Sequence, residues 1–400
     1  MPERRPTLLF HCQHSLGIGH LTRSFALAAA LRAHFRVVFL NGGPLPPGLP
    51  VPAGIERIDL PPLGMDDGHT LVSRDGRADV DAVRAERRRL VLQAAASLRP
   101  ALLLVELFPF GRKKFAGEIL PLVRTVRAQG GRVACSLRDI LVDARPDQAR
   151  HDERARWMAD RWFDLVLVHA DPAFARLSDS FHPRRALRLP VLHTGFVVPD
   201  RDAAPVAPRG PHVLVSAGGG SVGAALLMAA LDAHARLADA PPLRLVAGPF
   251  LPEPAWQALR ARAAGRPGVT LLRQVPDLVA ELREARASIS QCGYNTALDL
   301  VVAGVPALVV PYATAVENEQ RQRAARLAAA GAVQVLDPER LDAAALATAL
   351  QALLRFTPRP AALDLDGALR SARALAALAG PGLAALRQAP QQEVSPCTMA

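Results

Sequence analysis

Residues 213–227 read VLVSAGGGSVGAALL. A short run of β character, VLVS, enters three glycines, Gly218 to Gly220, and an apolar helical pattern begins just past Ser221. Strand, glycine turn and helix in that order form the repeating unit of a parallel sheet. Backbone N–H groups exposed at such a turn, beside the positive end of a helix, suit a phosphate. The spacing is neither the Walker pattern nor the G-x-G-x-x-G dinucleotide fingerprint, so Gly219, Gly220 and Ser221 are read as a candidate phosphate loop of another kind.

The same unit recurs on both sides of this stretch. Upstream, the expected strands are TLLFHC, RVVFLN, IERIDL, ALLLVEL, RVACSLRD, LVLVHA and LPVLHTGFV. Helical patterns over 20–33, 79–98, 114–129 and 145–161 separate most of them, and PAFARLSDSF also reads as helix. Downstream, HVLVSA, LRLVAG, VTLLRQV, ASISQC, PALVVP and VQVLD alternate with helical segments. The expected fold class is therefore α/β, with two Rossmann-like doubly wound domains facing an interdomain cleft. Residues 1–196 form the first expected domain, and the proline-rich 197–211 the linker. Residues 212–355 form the second, 356–387 are C-terminal helices, and 388–400 are a polar tail expected to be disordered.

Composition narrows the function. The chain has 400 residues, half of them hydrophobic and only 4% aromatic, with a net charge of +11. Lys113 and Lys114 are the only lysines; the other basic residues are arginines scattered along the chain. That pattern lacks a recognition motif and an aromatic stacking surface, which argues against a nucleic-acid partner. Cys12, Cys135, Cys292 and Cys397 show no metal-like spacing, and no stretch reads as a signal peptide or membrane span. The expected location is the cytoplasm, with attachment to the inner face of the cell membrane left open by the positive charge.

Two further stretches carry chemistry. In QHSLGIGHLTR (13–23), Gly17 and Gly19 form a turn and His20 stands at the start of a helix, facing the expected cleft. An imidazole there can take a proton from a hydroxyl or simply contact the substrate. Glu106 in VELFPFGRKK and Arg138 with Asp139 in SLRD end strands on the same side. In ASISQCGYNTALDL, Gly293 permits the turn after a strand, Asn295 and Thr296 start the next helix, and Asp299 follows one turn on. Thr296 can cap the helix or reach a phosphate, and a carboxylate at Asp299 can accept two ribose hydroxyls. Asp79-Val80-Asp81 and Asp364-Leu365-Asp366 resemble a metal-binding D-x-D, but the first reads as a helix start and the second lies among the trailing helices. Both are read as capping or surface carboxylates, and no metal site is assigned.

These residues resemble those of GT-B glycosyltransferases, especially family 28, and are similar to UDP-glucuronosyl/glucosyltransferases. GGSVGA (219–224), Cys292–Asp299 and the Glu319-Gln320 pair carry the resemblance, which spans roughly residues 8–350. It implies a cytoplasmic hexosyltransferase, inverting and metal-independent, that takes a nucleotide-diphosphate sugar (a UDP-sugar) and needs no cofactor. The second domain would hold the donor. Gly219, Gly220, Ser221, Val275, Gly293, Asn295, Thr296 and Asp299 would serve the nucleotide, with Val275 holding the base through backbone groups, and Glu319 and Gln320 would hold sugar hydroxyls. The first domain would take a sugar, lipid-linked or small-molecule acceptor near Gly17, Gly19 and Arg138, with His20 as base or substrate contact and Glu106 as the alternative base. The pattern departs at Gln291, where many relatives have His, and at Asp299, where Glu is commoner. A nucleotide-sugar hydrolase or epimerase on the same fold is the alternative.

Overall fold

The computed structural model describes residues 5–14, 19–46, 49–66, 70–77, 79–199 and 208–380. Gly17, most of the expected linker (200–207) and the tail 388–400 lie outside them.

The first half builds on β1 (Thr7–Cys12), α1 (Gly19–Leu31), β2 (Arg36–Asn41) and β3 (Glu56–Asp59). A short antiparallel hairpin, β4 (Leu63–Met65) and β5 (Leu71–Ser73), follows, and the sequence pattern did not reveal it. Next come α2 (Val80–Leu98), β6 (Leu102–Glu106), α3 (Ala116–Ala128), β7 (Arg132–Arg138), α4 (Gln148–Trp162), β8 (Leu165–His169) and β9 (Val191–His193). The sheet runs β3-β2-β1-β6-β7-β8-β9, with every pair parallel. Alternation along each strand divides the core between two faces. Leu9, Val38, Leu103, Val133 and Val166 lie in one cluster, and their chain neighbours Leu8, Val37, Leu102, Ala134 and Leu165 in the other.

The second half repeats the plan. It runs β10 (Val213–Ser216), α5 (Ala224–His234), β11 (Leu243–Val246), α6 (Glu253–Ala263), β12 (Val269–Leu272) and α7 (Leu278–Glu284). β13 (Ala287–Ser290), α8 (Tyr294–Ala303), β14 (Ala307–Val309), α9 (Glu319–Ala329), β15 (Gln334–Val335) and α10 (Ala343–Leu353) complete it. Strand order is β12-β11-β10-β13-β14-β15, again parallel throughout. Each sheet thus reverses direction beside its first strand, at β1/β6 and at β10/β13, and ligands bind at the carboxyl ends of such reversals.

The last helix, α11 (Gly367–Ala379), crosses back to the first sheet. Its Ala372, Leu375 and Leu378 share a core with Leu21 and Phe25 of α1. Gly367 allows this approach: a Cβ there would collide with the carbonyl of Gly195. PAFARLSDSF is not a full helix. Only Leu177–Asp179 forms a single 3-10 turn, with Asp171 accepting from the Ala173 N–H (2.8 Å) and Asp179 from the Arg176 N–H (3.0 Å).

Candidate active site

The site lies where the two sheet reversals face each other. Gly19 and His20 open α1, directly after β1. The His20 Nδ1 lies 2.6 Å from Glu106 Oε1, on the last residue of β6. Arg23, one turn along α1, donates from Nη2 to the same oxygen at 2.6 Å and stacks on the Tyr294 ring of α8, 5.1 Å from its centroid. Glu106 is wholly buried, whereas about a fifth of His20 (21%) is exposed. Burial alone would raise the Glu106 carboxyl, but His20, Arg23 and Arg112 outweigh it and hold the group at about 2. Burial pushes His20 down to about 4. At neutral pH the pair is therefore a carboxylate beside a neutral imidazole. The ring nitrogen facing the carboxylate must carry the proton, which leaves Nε2 as the basic atom.

Opposite stand the glycine loop and α8. Gly218 (φ +57°) and Gly220 (φ +89°) adopt left-handed backbone, and a Cβ on Gly220 would lie 2.5 Å from the Ala247 carbonyl. Gly219 accepts from the Phe250 N–H (3.0 Å), and Ser221 follows at the partly exposed end of the loop. A Cβ on Gly218 would sit 3.5 Å from Thr296 Oγ1, so the loop and the start of α8 lie side by side. Asn295 donates from Nδ2 to the Gly19 carbonyl at 3.1 Å, joining the starts of α8 and α1 across the cleft. Asp299 lies half-buried one turn further along α8.

Three expectations change in detail. Gly293 caps α8 with φ −63°, a conformation any residue adopts, so glycine is not needed there for the turn; a Cβ would meet nothing within 4 Å. The carbonyl oxygen of Gln320 accepts from the N–H groups of Cys292 (3.0 Å) and Tyr312 (3.1 Å), bracing the loops after β13 and β14. With its oxygen taken up in this way, the amide presents its Nε2 group as the remaining donor. Asp139 does not face a ligand. It forms a buried two-point pair with Arg323 of α9 (2.7 Å each), and Arg323 also donates to the Cys292 carbonyl (2.7 Å).

Glu319 and Arg138 meet across the cleft, with Arg138 Nη1 3.3 Å from Glu319 Oε1. Burial raises the Glu319 carboxyl, but Arg138 and Arg323 draw it below the usual range. Val275 packs against the apolar cluster that includes Cys292, Ala297 and Leu300 of the α8 region. It follows the edge strand β12, with β11 between that strand and the glycine loop. Asp79 caps α2 by accepting from the Asp81 and Ala82 N–H groups, and Asp364 pairs with Arg370. Arg23, Arg112, Tyr294 and Arg323 escaped the sequence reading. For Arg323 a signal existed: it shares the apolar side of α9 with Ala324 and Leu327, where a charge must be paired.

Residues 213–376 match the glycosyltransferase family 28 C-terminal domain. The chain is 34% identical over 246 residues to the UDP-N-acetylglucosamine–N-acetylmuramyl-(pentapeptide) pyrophosphoryl-undecaprenol N-acetylglucosamine transferase of Chromobacterium violaceum. That stretch covers 56% of this chain and 64% of the relative, less than two thirds of the relative's length. Among solved structures, a UDP-glucosyltransferase from Polygonum tinctorium superposes with a TM-score of 0.60 at 17% identity, covering 94% of this chain and 99% of that one. MurG of Acinetobacter baumannii gives 0.53 at 16%, with the same coverage. At such identities the likeness speaks for the fold. The chain is a GT-B-fold protein whose second half, over residues 213–376, matches glycosyltransferase family 28.

Proposed function

We propose that this protein is an inverting, metal-independent glycosyltransferase that moves a hexosyl group from a UDP-sugar to an acceptor hydroxyl. The observation that carries the reading is the His20–Glu106 pair, set across the cleft from a glycine loop and a helix start. His20 Nε2 takes the proton of the acceptor hydroxyl as its oxygen attacks the anomeric carbon. The bond from that carbon to the diphosphate oxygen breaks on the opposite face, so one displacement inverts the centre. Glu106 fixes the ring's tautomer and stabilises the imidazolium that forms, as the aspartate of a hydrolase triad does.

The leaving diphosphate takes its compensation from the N–H groups of Gly219 and Ser221, from the start of α8 and from the Thr296 hydroxyl, while the Gly220 N–H, donated to the Ala217 carbonyl (3.0 Å), holds the loop in shape. Asp299 receives the ribose hydroxyls, Val275 holds the base by its backbone, and Glu319 with the Gln320 amide holds the sugar. The named relative takes UDP-N-acetylglucosamine and a lipid-linked acceptor. For this chain the acceptor class is a sugar, lipid-linked or small molecule, and the location is the cytoplasm or the inner membrane face. No helix of the described residues is long and apolar enough to cross a membrane.

A thermal-shift panel of UDP, GDP and dTDP sugars tests the donor. Ligand binding to the folded state raises the midpoint, by about 2.7 kcal/mol of stabilisation at a hundredfold excess over Kd. The reading expects the UDP compounds to give the largest shifts, and indifference to all of them would refute it. A time course without acceptor separates transfer from hydrolysis: a transferase releases negligible UDP.

A further inference from the structure

Around the His20–Glu106 pair, four guanidinium groups (Arg23, Arg112, Arg138 and Arg323) face three carboxylates (Glu106, Asp139 and Glu319). Arg23 is committed to Glu106, and Arg323 to Asp139 and the Cys292 carbonyl. Arg112 and Arg138 are not saturated in this way. Arg112 Nε stands 3.9 Å from Glu106 Oε2, beyond hydrogen-bond reach. Arg138 shares only Glu319 Oε1, at 3.3 Å. The Nε atoms of both are buried without a hydrogen-bond partner, as are Arg23 Nε, Glu106 Oε2 and Glu319 Oε2. Arg23, however, is only 2% exposed and out of reach of a ligand. Their side chains are 15% and 17% exposed, so each has lost most of its water without gaining a full set of acceptors.

The two arginines share one place in the fold. Arg138 ends β7, and Arg112 lies on the loop after the neighbouring strand β6. Arg112 holds its position with left-handed backbone (φ +58°), which a non-glycine residue adopts at a cost. Burial lowers its guanidinium from the ordinary value, and Arg138 adds like-charge repulsion. Each of these desolvated cations lies beside one carboxylate and keeps an open donor, so a further acceptor oxygen placed between them would be favourable.

We propose that Arg112 and Arg138 form an anion subsite on the acceptor side of the cleft, which takes a carboxylate or phosphoryl group carried by the acceptor beside its reacting hydroxyl. The proposal rests on the glycosyltransferase reading and adds a chemical class to its acceptor. Guanidinium forks match the paired oxygens of either group. An anion bound at Arg138 also releases Glu319, which then turns its carboxylate to the hydroxyls of the donor sugar. Acceptor binding thereby completes the donor site.

The test is calorimetric titration of inorganic phosphate, and separately of acetate, into protein saturated with UDP. Filling the donor site first keeps the probe from binding there. The expected result is one anion bound per chain, roughly tenfold or more weaker in Arg112→Gln and in Arg138→Gln, and lost when both are replaced. Tighter phosphate than acetate identifies a phosphoryl acceptor; the reverse identifies a carboxylate. Arg150→Gln, on the exposed side of α4, is the control and leaves binding unchanged. UDP binding by each variant shows that it folds. No anion bound by the UDP-saturated protein, equal binding by the double variant, or displacement of UDP by phosphate overturns the proposal. Failure of the wild type to bind UDP sinks the donor reading alone: folding is then read from the thermal unfolding of each variant, and loss of phosphate binding in the double variant but not in Arg150→Gln still decides the subsite.

Discussion

The Asp139–Arg323 pair joins the two sheets through the middle of the molecule, and its energetics can be worked from its geometry. Asp139 is 0% exposed and Arg323 2%, and two parallel 2.7 Å hydrogen bonds join them. Arg323→Met would leave the Asp139 carboxylate buried and alone, and Asp139→Leu would strand the guanidinium. Either single loss should cost ~3–5 kcal/mol, the usual penalty for orphaning a buried charge. At roughly 2–4 °C per kcal/mol this lowers the thermal midpoint by about 6–20 °C. Replacing both residues removes both charges, so the double variant should be more stable than the sum of the single losses implies, with a coupling of at least ~2 kcal/mol. Thermal and urea unfolding of the four proteins completes the cycle. Single variants within about 1 kcal/mol of wild type, or strictly additive losses, would refute the assignment of this pair as the buried tie between the halves.

Three other outcomes are expected. Asp299→Ala should weaken UDP binding by ~1.5–3 kcal/mol if the carboxylate accepts the ribose hydroxyls, and unchanged affinity by calorimetry removes it from the site. Gln320→Ala orphans two backbone N–H groups, so it should lower stability by ~1–3 kcal/mol and weaken UDP-sugar more than UDP, whereas Gln320→Glu, which keeps the acceptor, restores most of the stability. His14, His20 and His169 are all pushed down by burial, to about 4, 4 and 3, from 6.5. The unfolded chain therefore binds more protons as pH falls below 6.5, and stability present above that value should be lost toward pH 4, by up to about 4 kcal/mol per pH unit; a flat profile over that window contradicts their neutral burial.

Most of the fold was legible because its strands are short apolar runs between glycine turns and helices, as at TLLFHC and HVLVSA. The order of the strands was not, since it depends on contacts far apart in sequence. The β4–β5 hairpin was missed because its strands of three residues are too short to show alternation. The return of α11 to α1 also left no local mark: Ala372, Leu375 and Leu378 would suit any apolar partner. At the site, His20 and Glu106 stood out because a histidine after a glycine turn and a carboxylate at a strand end are uncommon. Arg112 and Arg23 did not, because arginine is so abundant here that one more carries no information. Gln320 was read for its neighbour in sequence, and only the fold shows its carbonyl occupied by two backbone groups.

The central claim is that His20, held by Glu106, removes the proton that lets an acceptor attack a UDP-sugar. It is tested most directly by incubating labelled UDP-N-acetylglucosamine with a mixed pool of lipid and water-soluble cell extract, in excess chelator, and following UDP release and label transfer. Wild type, His20→Ala and His20→Asn are compared, with UDP affinity measured on each. The account predicts UDP and glycosylated product in equal amounts for the wild type. Both variants should turn over ~10²–10⁴-fold more slowly, with UDP affinity unchanged. Free sugar formed without acceptor, complete dependence on a divalent ion, or near-normal turnover by His20→Asn would contradict it.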